Sequence, residues 1–472
     1  MDPIRKKRKK LNKTEGRIGR VSDGVEGQVN ESDKVRIIEE EKMRRQKEAE
    51  RQAKKPVRLE EESDARQGDK RQDAARKERG EKKKTFWSGL TSELNGDVYR
   101  IKGGIDRPML IIILVLICFG SVMVFSASYA YALSDTGDSY FFIKKQIGYV
   151  VAGILVMLAM AIFVDYRWIR WLTPLYFAGS TLLLLAVLVI GVAEGDAKRW
   201  LVLGPISFQP SETMKLGLVL MLAWYYSLTE KQVRAKGFWK SSFFGTFIPL
   251  FIVGFVCVLI ALEKHISGTF IMFAIGMVVI FVAGGKLIWF AGAMGVFGVA
   301  VAFIISFTDY ATKRLDIWLH PENYSVQSEV WQTLQGLYAV GSGGWFGVGL
   351  GNSRQKHLFV SQPQNDFIFS IVCEELGLIG AAFVIVLFVA FVWRGVIIAK
   401  RAPDTFSKLT VVGIVSKVAI QAFLNIAVVT NTIPNTGISL PFFSYGGTAL
   451  LILFLEMGVL LAISRYSYLQ KK

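Results

Sequence analysis

From Pro108 onward, apolar residues come in long unbroken runs, not in the alternation of a half-buried strand or the one-sided stripe of a soluble helix. A helical bilayer crossing needs about 20 mostly apolar residues. Ten runs near that length follow one another, at 108–133, 146–164, 169–193, 210–228, 242–262, 267–284, 287–308, 367–393, 408–430 and 440–464. Glu212 and Lys215 interrupt the fourth, and only Gly284, Gly285 and Lys286 part the sixth from the seventh. The pattern predicts an all-α polytopic membrane domain over 108–466, with ten transmembrane helices and one long loop, 309–366, between spans seven and eight.

Residues 1–107 read differently. They hold 31 of the 56 basic and 22 of the 39 acidic residues. The run Arg5–Lys10 lacks the apolar core of a signal peptide. Opposite charges recur at helical spacing around Val35–Lys55, so a charged, disordered tail that is partly helical there is expected. A docking segment for cytoplasmic partners is the sharper reading of the same tail. Trp87 and Leu90 are candidate interfacial contacts near the first span.

The net charge of +17 fits a positive-inside membrane protein better than a nucleic-acid binder. With a cytoplasmic N-terminus, Arg167, Arg170, Lys231, Arg234, Lys236, Lys240 and Lys286 fall on the inner side. So do Arg394, Lys400, Arg401, Lys408, Lys471 and Lys472. An even number of spans returns the short tail 467–472 to the cytoplasm, and 309–366 then faces outward. Cys118, Cys257 and Cys373 lie far apart in apolar runs and read as small buried hydrophobes. His265, His320 and His357 show no zinc-ligand spacing, and no Walker or GxSxG motif occurs.

Asp366 opens an apolar run that carries Glu374 and Glu375 two turns further in. Acidic groups at such depth are costly and face a protein interior or a wet cavity. The position of Asp366 also suits a helix N-cap. Glu212 and Lys215, after Pro210, read either as a helix-start ion pair or as a charged site where the lysine meets a phosphate, with Arg199 and Trp200 just upstream. The long loop turns glycine-rich at Gly341–Gly351, and Val330–Val340 suits an amphipathic helix. Prolines, glycines and hydroxyls break the last apolar pattern between Asn431 and Leu450, as at many membrane binding sites. Lys417 and Glu456 pair with each other or with the buried glutamates.

Taken together, four stretches carry a resemblance. They are Arg199–Leu216, Gly341–Lys356, Gln364–Gly380 and Pro434–Gly447. In this order over ten spans, the chain resembles the SEDS family (shape, elongation, division and sporulation), with Gly347–Lys356 closer to its FtsW/SpoVE branch. Three positions depart from that pattern. Asn365 replaces the usual threonine before the acidic residue, Lys264–Thr269 lacks the acidic residue of a PDxGT motif, and Thr448 stands where serine is frequent.

The resemblance implies a peptidoglycan glycosyltransferase in the bacterial cytoplasmic membrane, joining lipid II into glycan strands at the outer face. It implies that Asp366 is the essential acidic residue, as general base or as ligand of a divalent cation such as Mg or Mn. Substrate binding is then expected from Arg199, Glu212, Lys215, Arg314, Gln335, Glu374, Glu375, Thr436, Ser444, Tyr445, Gly446 and Gly447. A class B penicillin-binding protein is the implied partner, with other divisome or elongasome proteins. A transporter that flips the lipid-linked precursor, and a scaffold without catalysis, are the alternatives.

Overall fold

The computed structural model describes residues 39–40, 42–47, 103–194, 197–204, 206–307, 309–325 and 330–466. Most of the charged tail and the final residues 467–472, including Lys471, Lys472, Trp87 and Leu90, lie outside the described residues. The chain divides into two units, Met1–Asp97 and Val98–Lys472. In the first, residues 39–40 and 42–47 are helical and exposed.

The second unit is mostly helical. Its elements are α1 (Arg107–Thr136), α2 (Phe141–Phe163), α3 (Tyr166–Ile190), α4 (Pro210–Val233), α5 (Phe238–Leu262), α6 (Ile266–Val282) and α7 (Leu287–Ser306). Then come α8 (Asp309–Leu319), α9 (Trp331–Ser342), α10 (Ile368–Lys400), α11 (Thr405–Val429) and α12 (Gly447–Ser464). Among the described residues, seven helices are long and apolar enough to cross a membrane: α1, α2, α3, α5, α10, α11 and α12. α6 and the Leu287–Phe303 part of α7 are apolar but shorter. α4 spans 24 residues and carries Glu212 and Lys215 near its start.

Sequence punctuation sets several ends. Asp106 accepts from the Met109 N–H at 2.9 Å, a cap that starts α1, and its carboxylate also takes Arg394 from α10 at 2.6 Å. Gly137 closes α1 in the left-handed conformation. The expected all-α architecture misses one feature. Val192–Glu194 (β1), Ala197–Leu203 (β2) and Ile206–Phe208 (β3) form a small antiparallel sheet between α3 and α4. Leu201, Val202 and Leu203 pair with Phe208, Ser207 and Ile206. The turn between them includes Gly204 at φ +62°, and it positions Arg199 and Trp200 on a strand instead of a loose loop.

α10 is broken at Gly377, with φ +64° and ψ −164°. The glycine-rich segment after α9 fills the break. Val348 and Gly349 donate to the carbonyls of Glu374 and Glu375 at 3.0 Å, while Leu378 and Ile379 donate to those of Gly344 and Trp345. Backbone groups freed inside an apolar helix need such partners where water is absent. The core draws on α1 to α6 and α10 to α12, whereas none of the described side chains of α7 is buried.

Candidate functional site

α10 begins at Ile368 with Phe367 as its N-cap residue, whose side chain makes no capping hydrogen bond. Asp366 is therefore not the N-cap that its place before an apolar run suggested. It sits on the preceding turn and is held from behind. The buried amide of Asn425 on α11 donates to the Asp366 carbonyl at 2.7 Å and to the Ile438 carbonyl at 2.6 Å. The Ser444 hydroxyl donates to the Asn365 carbonyl at 2.7 Å, and the Tyr445 N–H donates to the Gln364 carbonyl at 2.9 Å. These bonds tie 364–366 to the proline- and glycine-rich segment before α12. Gly437, at φ +66°, approaches so closely that a Cβ there would stand 3.3 Å from Asp366 Oδ2.

Asp366 lines a cavity of about 940 Å³. Of the residues singled out in the sequence, Arg199, Glu212, Lys215, Arg314, Thr436, Tyr445, Gly446 and Gly447 share that wall. Arg199 reaches in from β2 and donates to the Lys264 carbonyl at 3.3 Å. Arg314, from α8, donates to the Asn435 carbonyl at 2.7 Å. A Cβ at Gly447 would meet Cζ of Tyr149 at 2.5 Å, so a larger residue there requires the tyrosine ring to shift. Lys145, Lys264, His265 and Gln421 also line the cavity and were not anticipated. Lys145 left one signal, a base next to Lys144 between the first two apolar runs.

Five cationic side chains line the cavity (Lys145, Arg199, Lys215, Lys264 and Arg314) against the carboxylates of Glu212 and Asp366. That imbalance suits a ligand with several negative charges. The turn between α5 and α6 adds two unusual groups. Glu263 is 2 % exposed, and among the described residues neither carboxylate oxygen has a hydrogen-bond partner. Burial pushes its carboxyl up to about 8, against the opposing pull of Arg199. Burial, reinforced by Arg199 and Lys215, pushes the His265 imidazole down to about 3.

Beneath the cavity lies a chain of buried charges. Lys215 Nζ is 2.6 Å from Glu212 Oε1, and Lys417 Nζ is 4.0 Å from Glu212 Oε2 and 2.8 Å from Glu456 Oε2. The helix-start ion pair and the cavity lining are thus both properties of Glu212 and Lys215. Lys417 and Glu456 pair with each other, and Lys417 also faces Glu212.

Four other expected substrate contacts are placed elsewhere. Glu374 accepts from the Ser353 hydroxyl and from the Arg354 N–H at 2.8 Å. Glu375 pairs with Lys356 at 2.9 Å and accepts from the Ser126 hydroxyl. Neither lines the cavity. Their carboxylates face the loop that follows the glycine-rich segment, because the break at Gly377 brings that loop against this part of α10. Gln335, buried on α9, and Ser444 also stay off the cavity wall, and Ser444 bears on it through its hydrogen bond to the Asn365 carbonyl.

Residues 107–469 match the family described as Cell cycle protein, that of FtsW, RodA and SpoVE. The chain belongs to this family. It is 40 % identical over 368 residues to stage V sporulation protein E of Bacillus subtilis, a match covering 77 % of this chain and 97 % of that one. It is 36 % identical over 367 residues to a probable peptidoglycan glycosyltransferase FtsW of Geobacter sp. strain M18, covering 76 % and 97 %. Among solved structures, a chain of a peptidoglycan synthase complex that coordinates polymerisation and crosslinking aligns with a TM-score of 0.61 at 25 % identity, over 78 % of this chain and 99 % of its own. The rod shape-determining protein RodA of Thermus thermophilus aligns at 0.57 and 25 % identity, covering 78 % and 98 %. As a member of the FtsW/RodA/SpoVE family, the chain is an integral membrane protein.

Proposed function

We propose that the chain is a peptidoglycan glycosyltransferase that polymerises lipid II at the outer face of the bacterial cytoplasmic membrane, with Asp366 as general base. The observation that carries this reading is a carboxylate on the wall of a large cavity whose other charges are mainly cationic. The relatives named as peptidoglycan glycosyltransferases support it, as does the likeness to a peptidoglycan synthase complex.

In the proposed step, the 4-hydroxyl oxygen of one sugar attacks C1 of another. The C1–O bond to the lipid diphosphate breaks, and the hydroxyl proton passes to Asp366. A carboxylate placed for such a transfer contributes about 10²–10⁴-fold. Arg199, Lys215 and Arg314 stabilise the charge that gathers on the leaving diphosphate. The anchored loop 364–366 keeps the base in place, which matters because small displacements of a positioned group are costly in rate.

The donor chemistry around Asp366 bears on a divalent cation. Among the described residues no cluster of three or more His, Cys, Asp or Glu side chains could cage an ion. A single carboxylate fits Mg²⁺ or Mn²⁺ that keeps water and substrate phosphate as its other ligands. Such an ion would neutralise the diphosphate.

We infer the same topology as the sequence expectation: α4, α6 and α7 also cross, giving ten spans, with both termini cytoplasmic and 309–366 outside. The expected partner is a class B penicillin-binding protein, a reading supported by the synthase-complex match. The decisive assay supplies purified protein and its transpeptidase partner with lipid II and Mg²⁺, and resolves glycan chains on a gel. Polymer from wild type, and roughly 10²–10⁴-fold less from folded Asp366→Asn, is expected. Equal polymer from both removes Asp366 from the centre of the reaction. Polymer from neither, despite a folded complex, shifts the reading to transport.

A further inference from the structure

A second cavity, of about 390 Å³, lies at the opposite end of the helices from Asp366. The last turns of α4, α6 and α10 and the first turn of α11 enclose it. Tyr226, Val233 and Leu409 are buried there and give it an apolar floor. The Tyr226 hydroxyl is already committed, donating to the Gly245 carbonyl at 2.7 Å.

The charges on its rim are unequal in availability. Glu230 accepts from the Thr405 hydroxyl at 2.7 Å and pairs with Arg234 at 2.9 Å. Asp404 caps α11 through the Ser407 N–H at 2.7 Å and lies 4.0 Å from Arg170. Lys400 and Lys408 are exposed, and among the described residues neither ammonium group has a hydrogen-bond or ion-pair partner. The cavity thus presents two available cations above an apolar floor.

Its depth in the membrane can be read from aromatic side chains at the same end. Trp168 and Trp171 start α3, Trp239 starts α5, and Trp393 lies near the end of α10, all strongly exposed. Exposed indoles gather at headgroup level. Lysines that only snorkel toward water need no cavity behind them, whereas basic pockets between membrane helices suit anionic headgroups.

We propose that this cavity seats an anionic phospholipid. Lys400 and Lys408 face its phosphate, and the floor formed by Tyr226, Val233 and Leu409 takes the adjoining glycerol and upper acyl chain. A lipid held there bridges α10 and α11, the two helices that carry Phe367 and Asn425 at their far ends.

The test places the full-length protein in nanodiscs of phosphatidylcholine containing a minor fraction of phosphatidylglycerol, and counts retained lipids by native mass spectrometry. Wild type should retain phosphatidylglycerol well above its share of the bilayer. Lys400→Gln/Lys408→Gln should lower that retention roughly ten-fold, since each lysine near an anionic headgroup contributes appreciably. Lys400→Arg/Lys408→Arg should preserve it. The control Lys236→Gln/Lys240→Gln removes the same charge from nearby exposed positions and should change little. Equal loss in that control would overturn the site in favour of diffuse surface charge. So would the absence of any lipid preference in wild type. Displacement of the retained lipid by millimolar inorganic phosphate would assign the cavity to a free anion and overturn the lipid reading.

Discussion

The side-chain amide of Asn425 donates to the main-chain carbonyl of Asp366 at 2.7 Å. The same amide reaches the Ile438 carbonyl, so one buried residue on α11 positions both walls of the cavity near Asp366. Asn425→Leu keeps the bulk and removes the donor. Two carbonyls lose their shared partner, and a buried acceptor left unsatisfied costs about 1–3 kcal/mol. Polymerisation should fall at least roughly ten-fold, with a lowered Tm, because misplacing a positioned base costs rate. Gel-resolved polymer yield and thermal unfolding in detergent check the two effects separately. An unchanged rate would remove the clamp from the mechanism.

The buried charge chain allows a sharper energetic test. Lys417→Met leaves Glu456 without its 2.8 Å partner and Glu212 without its more distant one. Breaking a buried pair on one side typically costs about 3–5 kcal/mol. Lys417→Met/Glu456→Leu removes both charges and should recover much of that loss, since well-packed apolar replacements are often tolerated. A double-mutant cycle of unfolding free energies measures the coupling. Additive effects would show that the two charges do not stabilise each other.

Gly447→Ala should be destabilising because its new methyl displaces the Tyr149 ring. Overpacking of this kind costs about 1–3 kcal/mol, and here it also presses on the cavity wall. Tyr149→Ala in the same chain should restore most of the lost stability by emptying the space. Thermal shifts of the single and double variants decide it.

Stability should depend on pH through Glu263 and His265. The folded carboxyl of Glu263 titrates near 8, above its ordinary 4.5. Between those values the folded chain holds a proton that the unfolded chain has released, so stability falls as pH rises. The folded imidazole of His265 titrates near 3, below its ordinary 6.5, so its contribution to stability rises with pH across that interval. The two slopes oppose each other between 4.5 and 6.5, and from 6.5 to 8 only Glu263 acts. Glu263→Gln should therefore flatten the decline of Tm between pH 6.5 and 8. A decline of unchanged slope would assign it to other groups.

Much of this protein is legible as one-dimensional chemistry. Long apolar runs become helices because a backbone in hydrocarbon must satisfy its own polar groups. Asp366, Arg199, Glu212 and Lys215 stand out as charges next to or within apolar segments, and all four meet at one cavity. The i,i+3 spacing of Glu212 and Lys215 already implies their ion pair. Glu374 and Glu375 look equally functional in the sequence, yet they hold a loop. Their direction depends on Gly377, and their partners Ser126 and Lys356 lie 249 and 19 residues from Glu375. Asn425 carries no local signal at all, since its role is two hydrogen bonds to carbonyls brought near it by helix packing. The small sheet escapes for a related reason: β3 is only three residues long and gains its order from pairing with β2. Local sequence specifies which groups must be buried or solvated, whereas the partner of each buried polar group is chosen by chain segments that only folding brings into contact.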